Sequence, residues 1–336
     1  MRRLSLEAAH RFASETLQRF DTAPDIADCV AKALVEAEAS GLKGHGLVRL
    51  ESYSIQTRVR KIDGHARPLM KQAAPGLVAI SAEHGFSYPA VDLALDELKT
   101  LAPAQGIAMA GINKAGHCGA IGLHVEKLAE AGLVAMMFCN APASIAPWGG
   151  KRPLYGTNPI AFATPAADRA PIVVDLSVAK VARGKVLAAA QRGDPIPEGW
   201  AVDAAGNPTT DAKAALGGTM LPMGDAKGTA LALMVEVFSS ALVSARFSTE
   251  QPSYFNDEGG PPEAGHAIIA VDPSGFAPFF IERMGELAGA IEAEEGARLP
   301  GSRRLEARRL AATEGLVVDA SLDQALDRLA RESIDG

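Results

Sequence analysis

Two histidines set among glycines, one arginine and one aspartate are the residues of this chain whose types and spacing could do chemistry. His117 lies in Lys114-Ala115-Gly116-His117-Cys118-Gly119-Ala120-Ile121-Gly122, between an apolar run over 106–112 and a helix-like segment over 123–132. Glycine tolerates positive φ and lets a ligand approach the backbone. A helix N-terminus offers free N–H groups and partial positive charge. The turn therefore reads as half of an active site, or as a histidine that caps backbone groups. His45, Arg49 and Tyr53 recur at i, i+4 and i+8, which on a helix places them on one face. Imidazole titrates near working pH and suits acid/base work. A guanidinium grips a carboxylate through two parallel N–H bonds, and a phenol donates a hydrogen bond. Singly, each has an ordinary alternative: a solvated histidine, a surface charge, a packed tyrosine. Together they point to a site for a small carboxylic acid.

Asp175 closes the apolar run Ile172-Val173-Val174. Beside a histidine it would fix the tautomer and support the imidazolium; otherwise it caps a following helix. Lys227, before Gly228 at a helix start, could meet a phosphate or simply face water. Cys118 suits a small buried role better than that of a nucleophile.

The bulk properties bound these readings. The chain has 336 residues, 48% hydrophobic and 22% charged, enough for two domains or one large elaborated one. A net charge of −7 argues against nucleic acid or a membrane surface as partner. Cys29, Cys118 and Cys139 are odd in number and far apart in sequence, with no zinc-type pair. They predict no disulfide framework, no metal site and a reducing cytoplasm. The first residues contain no apolar signal-like stretch, and the apolar run over 230–243 is too short and too polar to span a bilayer.

Period and punctuation then supply the elements that must carry the site. Helical spacing predicts helices over 4–20 and 24–39, with Pro24 in the first turn of the second. A third helix is expected to open at His45. Strands are expected over 76–80, 106–112, 132–139, 160–163, 171–175 and 266–272, and helices over 88–101, 123–132, 178–190, 224–245, 276–293, 303–313 and 321–334. Residues 193–223 lack periodicity and read as a long functional loop. No GxGxxG follows a strand, and P-loop, HExxH and GxSxG motifs are missing.

Seven motifs in one order nevertheless form a pattern: Gly44-His45-Gly46-Leu47-Val48-Arg49, Gly116-His117-Cys118-Gly119, Pro147-Trp148-Gly149-Gly150, Gly156-Thr157-Asn158-Pro159, Val174-Asp175-Leu176-Ser177, Leu221-Pro222-Met223-Gly224 with Lys227-Gly228, and Leu299-Pro300-Gly301. Together, over nearly the whole chain, they resemble the malate/L-lactate dehydrogenase family of NAD(P)-dependent oxidoreductases, distinct from Rossmann-type lactate dehydrogenases. The resemblance implies an α/β fold with a non-Rossmann cofactor domain on a mostly antiparallel sheet (121–274). It adds a helical or mixed domain from both chain ends (1–120 with 275–336). It implies a homodimer and NADPH or NADH as cofactor. His45 matches a proposed proton donor, Arg49 its carboxylate-binding partner, and His117 an acid/base group of other members. Tyr53 and Thr157 fall on the substrate side. Val174, Asp175, Leu176, Ser177, His117, Lys227, Ser302, Arg303 and Arg304 fall on cofactor-contact segments.

Departures refine the expectation. Gly44 stands where the family often has serine, and Asp225-Ala226-Lys227-Gly228-Thr229 replaces a histidine and a tyrosine of the family's helix start with smaller residues. This looks more like the branch that reduces Δ1-piperideine-2-carboxylate and Δ1-pyrroline-2-carboxylate to L-pipecolate and L-proline. Dehydrogenation of a 2-hydroxy acid such as malate, lactate or ureidoglycolate is the alternative. A nucleotide-binding sensor on the same scaffold would be the non-enzymatic one.

Overall fold

The computed structural model describes residues 2–331. A short strand β1 (Arg2–Leu4) precedes helices α1 (Leu6–Arg19), α2 (Pro24–Ala39) and α3 (Arg49–Arg58). Next come β2 (Leu69–Ala74), β3 (Leu77–Ser81), α4 (Ser87–Gln105), β4 (Ile107–Ala115), α5 (Ile121–Glu130), β5 (Val134–Cys139), β6 (Ile160–Thr164) and β7 (Ile172–Leu176). The middle of the chain adds α6 (Arg183–Arg192), β8 (Ala201–Val202), β9 (Pro208–Thr209), α7 (Ala212–Gly217), β10 (Thr219–Met220) and α8 (Ala226–Glu236). It closes with β11 (Ala264–Val271), α9 (Phe280–Ala293), α10 (Ser302–Glu314), β12 (Leu316–Val318) and α11 (Ala320–Arg331).

Seven strands form the main sheet in the order β2-β3-β4-β11-β5-β6-β7. The sheet is mixed: β3 and β4 run parallel, because helix α4 carries the chain back between them, while the other five pairings are antiparallel, as expected. Its strands come from both sides of residue 120. β11 lies in the centre, between β4 and β5, and is buried along most of its length, as its continuous apolar run requires. Ala108, Ala110, Ala135, Ala161 and Ala163 form much of the face on which Val91, Leu95 and Leu98 of α4 and Val125 and Leu128 of α5 pack. Small side chains let these helices sit close, which is how a chain poor in aromatics reaches a dense core.

A second core joins the two chain ends. Ile26, Val30 and Leu34 of α2 are buried with Leu17 of α1, and Leu322, Leu326 and Leu329 of α11 pack into the same cluster. β1 and β12 pair antiparallel across it. Ser5 caps α1 by accepting the Ala8 N–H at 3.1 Å, and Pro24 opens α2 as expected.

Two of the other expectations change, and one runs past the described residues. Residues 177–182 are extended rather than helical, since Val178 and Lys180 bond to 221–223 as a strap. Residues 193–223 are not structureless: α7 and the small sheet β10-β8-β9 lie there, in strands too short to show a period. Of the helix predicted to 334, α11 is seen to Arg331, and 332–334 lie outside the described residues.

Candidate active site

The helical side of the site starts from a break in a helix. His45 is not on α3; it ends a single 3-10 turn, Lys43–His45, so the expected shared helix face does not form. The cause is next door. Glu38 of α2 accepts the Leu47 N–H at 3.0 Å, and a Cβ on Gly46 would fall 2.2 Å from the Glu38 carboxylate. Gly46 and Glu38 thus pin the turn, and α3 starts only at Arg49. The three residues still converge, through contacts rather than through helical period.

His117 lies between β4 and α5, as the turn predicted. Its Nε2 is 3.2 Å from His45 Nδ1, with the two rings stacked at 5.2 Å. Its Nδ1 is 2.7 Å from the Tyr53 hydroxyl, which is 2.9 Å from the Tyr88 hydroxyl. Four groups therefore form one chain: Tyr88, Tyr53, His117, His45. Tyr88 is buried at the start of α4 and was missed in the sequence, where it reads as an ordinary helical aromatic. Both nitrogens of His117 are engaged, whereas no hydrogen bond to His45 Nε2 exists among the described residues. If the phenols donate toward His117, each proton is accounted for and His45 keeps an N–H at Nε2. If every bond reverses, Nε2 is a bare acceptor. The chain can thus present either an acid or a base at one atom.

Burial, and then the Arg49 charge, depress His45 from the ordinary 6.5 to about 4; burial and Arg49 hold His117 well below its ordinary range as well. Both imidazoles are neutral at pH 7. Burial holds Tyr53 in its protonated form. Arg49 donates from Nε to the Gly44 carbonyl at 2.6 Å, and no carboxylate pairs with it among the described residues. A strap over 253–258 covers it. Phe255 lies over the guanidinium at 4.7 Å, and Tyr254 sits 5.8 Å from the His117 ring. Gln56 holds the Tyr254 carbonyl at 2.9 Å, and Lys61 donates to the carbonyls of Ser253, Asn256 and Glu258.

Asp175 does not back a histidine: among the described residues its carboxylate bonds none. It accepts the Gly122 N–H at 2.8 Å and so caps α5, the helix that follows the His117 turn. A Cβ at Gly122 would lie 2.7 Å from the Asp175 Cβ, so this approach requires glycine. Surrounding protein pushes Asp175 upward from its ordinary range, against the Gly122 bond and the Arg304 charge. The α5 N-terminus is thus occupied by the protein's own carboxylate.

A second cluster of segments gathers beyond β7. Met223 N–H donates to the Val178 carbonyl at 2.8 Å, which brings Val174, Leu176 and Ser177 beside the start of α8. The Thr157 carbonyl accepts from Val178 N–H and from Ser177 Oγ, each at 3.0 Å, so Thr157 belongs to this segment; no hydrogen bond joins it to His45, Arg49 or Tyr53 among the described residues. Gly301, with φ +86°, lies against the Val173 carbonyl, which brings in Ser302 and Arg303. Lys227 and Arg303 are exposed. Arg304 is not available to a phosphate: it is buried and donates to Glu126 at 2.8 Å, with Arg308 on the other carboxylate oxygen at 2.6 Å. Lys227 and Arg303, exposed in the first turns of α8 and α10, are cations suited to a phosphorylated ligand.

A family model described as malate/L-lactate dehydrogenase matches residues 4–327. The (2R)-3-sulfolactate dehydrogenase (NADP(+)) of Chromohalobacter salexigens is 45% identical over 308 residues, 92% of each chain. The Δ1-pyrroline-2-carboxylate/Δ1-piperideine-2-carboxylate reductase of Pseudomonas aeruginosa is 38% identical over 330 residues, 97% of this chain and 98% of that one. The crystal structure of the Δ1-piperideine-2-carboxylate reductase of Pseudomonas syringae superposes with a TM-score of 0.92 at 33% identity, covering 98% of this chain and 100% of that one. The chain belongs to the malate/L-lactate dehydrogenase family and is an oxidoreductase.

Proposed function

We propose that this family member is an NAD(P)H-dependent reductase acting at C2 of a small carboxylic acid, with cyclic 2-imino acids as its leading substrates. The observation that carries the reading is the corner where Arg49, without a carboxylate partner, adjoins the unengaged Nε2 end of the Tyr88–Tyr53–His117–His45 chain. Arg49 holds the substrate carboxylate, and its neutralisation raises the proton affinity of the imidazoles beside it. His45 Nε2 delivers the proton in reduction and takes it in oxidation. His117, held at both nitrogens, relays protons and fixes the His45 ring. Tyr53 and Tyr88 hold the chain in register, and Tyr254 and Phe255 exclude water. A bound nicotinamide supplies the hydride. Val174, Leu176, Ser177, Lys227, Ser302 and Arg303 hold it, with Asp175 ordering the helix behind the His117 turn.

Arg49 is the cation whose charge bears on both histidines, and aromatic rings line the corner. One positive charge in aromatic walls suits a ring bearing one carboxylate. A second reading, oxidation of a 2-hydroxy acid carrying a further anion, is favoured by the 45% identity to a (2R)-3-sulfolactate dehydrogenase; its name also favours NADPH. We further propose that the enzyme is a homodimer, closed over the apolar edge where Leu69, Leu77 and Leu242 are 61, 46 and 57% exposed. An exposed edge strand such as β2 is ordinarily covered. The deciding experiment compares kcat/KM for Δ1-piperideine-2-carboxylate, pyruvate, oxaloacetate and 3-sulfopyruvate with each nicotinamide cofactor. The cyclic imine is expected to be fastest. Faster turnover of 3-sulfopyruvate moves the assignment to the second reading, and turnover of none overturns both.

A further inference from the structure

The sequence contains no metal motif, yet the fold gathers three soft donors directly behind the His117 turn. Cys139 ends β5, and His266 of β11 stands directly opposite it in the antiparallel register. Their Sγ and Nδ1 atoms are 3.1 Å apart. Cys118, next to His117, brings its Sγ to 3.5 Å from that of Cys139. The three donor atoms lie within 4.8 Å of one another, and all three side chains are buried. Two donors are therefore placed by cross-strand pairing in the middle of the main sheet, and the third by the loop that follows β4. The sheet preorganises the cluster, and small side-chain shifts suffice to close it around an ion.

The hydrogen bonds behind the cluster point the same way. His266 Nε2 is 3.3 Å from Ser87 Oγ, and Ser87 in turn donates to the Gly116 carbonyl at 2.7 Å. Ser87 therefore accepts from His266, which places the imidazole proton on Nε2 and aims the Nδ1 lone pair at the two sulfurs. A ligating histidine is ordinarily oriented in this way, by a bond from its other nitrogen. Two thiols and one imidazole form a soft, three-donor set. That set suits a d10 monovalent cation in trigonal geometry better than a hard oxygen-seeking ion or a four-coordinate one.

We propose that Cys118, Cys139 and His266 form a buried site that binds Cu(I) through two sulfurs and one nitrogen. Binding displaces the thiol protons and ties β5, β11 and the His117 loop to one ion. Because Cys118 adjoins His117, occupancy also shifts the relay histidine and lowers turnover.

The test is an anaerobic titration of the full chain with Cu(I) in the presence of bathocuproine disulfonate as competing chelator. One equivalent is expected to stay with the protein, and copper X-ray absorption should show two sulfurs and one nitrogen. Cys139→Ser should weaken retention by about 100-fold and Ser87→Ala by about tenfold, while Cys29→Ser, at a thiol remote from the cluster, leaves it unchanged. Copper that remains wholly with the chelator overturns the site. So does retention unaltered in Cys139→Ser, or lost in Cys29→Ser. The absorption spectrum is measured on the unsubstituted protein, so a coordination shell without two sulfurs overturns the proposal even if Cys139→Ser fails to fold.

Discussion

Arg49 is half-buried and Arg304 buried, and they are in opposite electrostatic conditions. Arg304 faces Glu126 on α5 and shares that buried carboxylate with Arg308, so α5 and α10 are tied by a closed triad. Arg49 has a backbone carbonyl below it and the Phe255 ring above, and no carboxylate at hand among the described residues. A guanidinium whose charge is already matched by a buried carboxylate has little reason to take up an outside anion. A guanidinium beside neutral imidazoles and a phenyl face has every reason to. The difference between structural and ligand-binding arginines lies in what the surrounding elements leave unpaired, and the same test separates His45, with one nitrogen unengaged, from His266, whose two nitrogens both have partners.

The comparison can be broken by removing groups on each side. His45→Gln should lower kcat by roughly 10²–10⁴-fold, the usual worth of a general acid/base, with the thermal midpoint almost unchanged. A loss below tenfold would show that the unengaged nitrogen is not the working one. Arg49→Met should lower kcat/KM by roughly 10³-fold, since the substrate anion loses its charged partner. The folded state should hold, because Arg49 balances no charge there. Arg304→Met should reverse that pattern. It leaves a buried carboxylate with Arg308 alone and should cost about 3 kcal/mol of stability in chemical denaturation. A variant as stable as the parent would place Arg304 back among the phosphate-binding candidates.

The smallest effect sharpens the electrostatics. His45 is depressed from 6.5 to about 4, so between these values the unfolded chain takes up protons that the folded chain resists. Its contribution to stability is complete above pH 6.5 and is lost as pH falls toward about 4. Glu38 and Asp175, raised by burial, act in the opposite sense. The measurement is therefore the difference between parent and His45→Gln denaturation midpoints across that window. The gap should shift steadily in favour of the variant as pH falls, and a constant gap would refute the depressed imidazole.

Local pattern carried much of this molecule. The periods of α1 and α2, Pro24 at a helix start, and the apolar run of β5 were legible because each depends on neighbours within a few residues. The strand–turn–helix around His117 was legible for the same reason. The ordered motifs carried the family. What stayed illegible depended on distant partners. β2, nearly all exposed, has no apolar alternation to betray it. β8, β9 and β10 hold two residues each. Tyr88 reads as one aromatic in a helix until Tyr53, 35 positions earlier, meets its hydroxyl.

The sequence by itself determined which groups were available: two histidines in glycine-rich turns, an arginine and a tyrosine near the first, and an aspartate at a strand end. Tertiary structure alone decided their pairing. It broke the expected helix at Gly46, gave Asp175 to the α5 N-terminus, gave Arg304 to Glu126, and set Cys118, Cys139 and His266 side by side. The reason is physical. Helical and strand periods are set by short-range backbone geometry, while the partner of a buried polar group is whichever complementary group the packed chain delivers within about 3 Å.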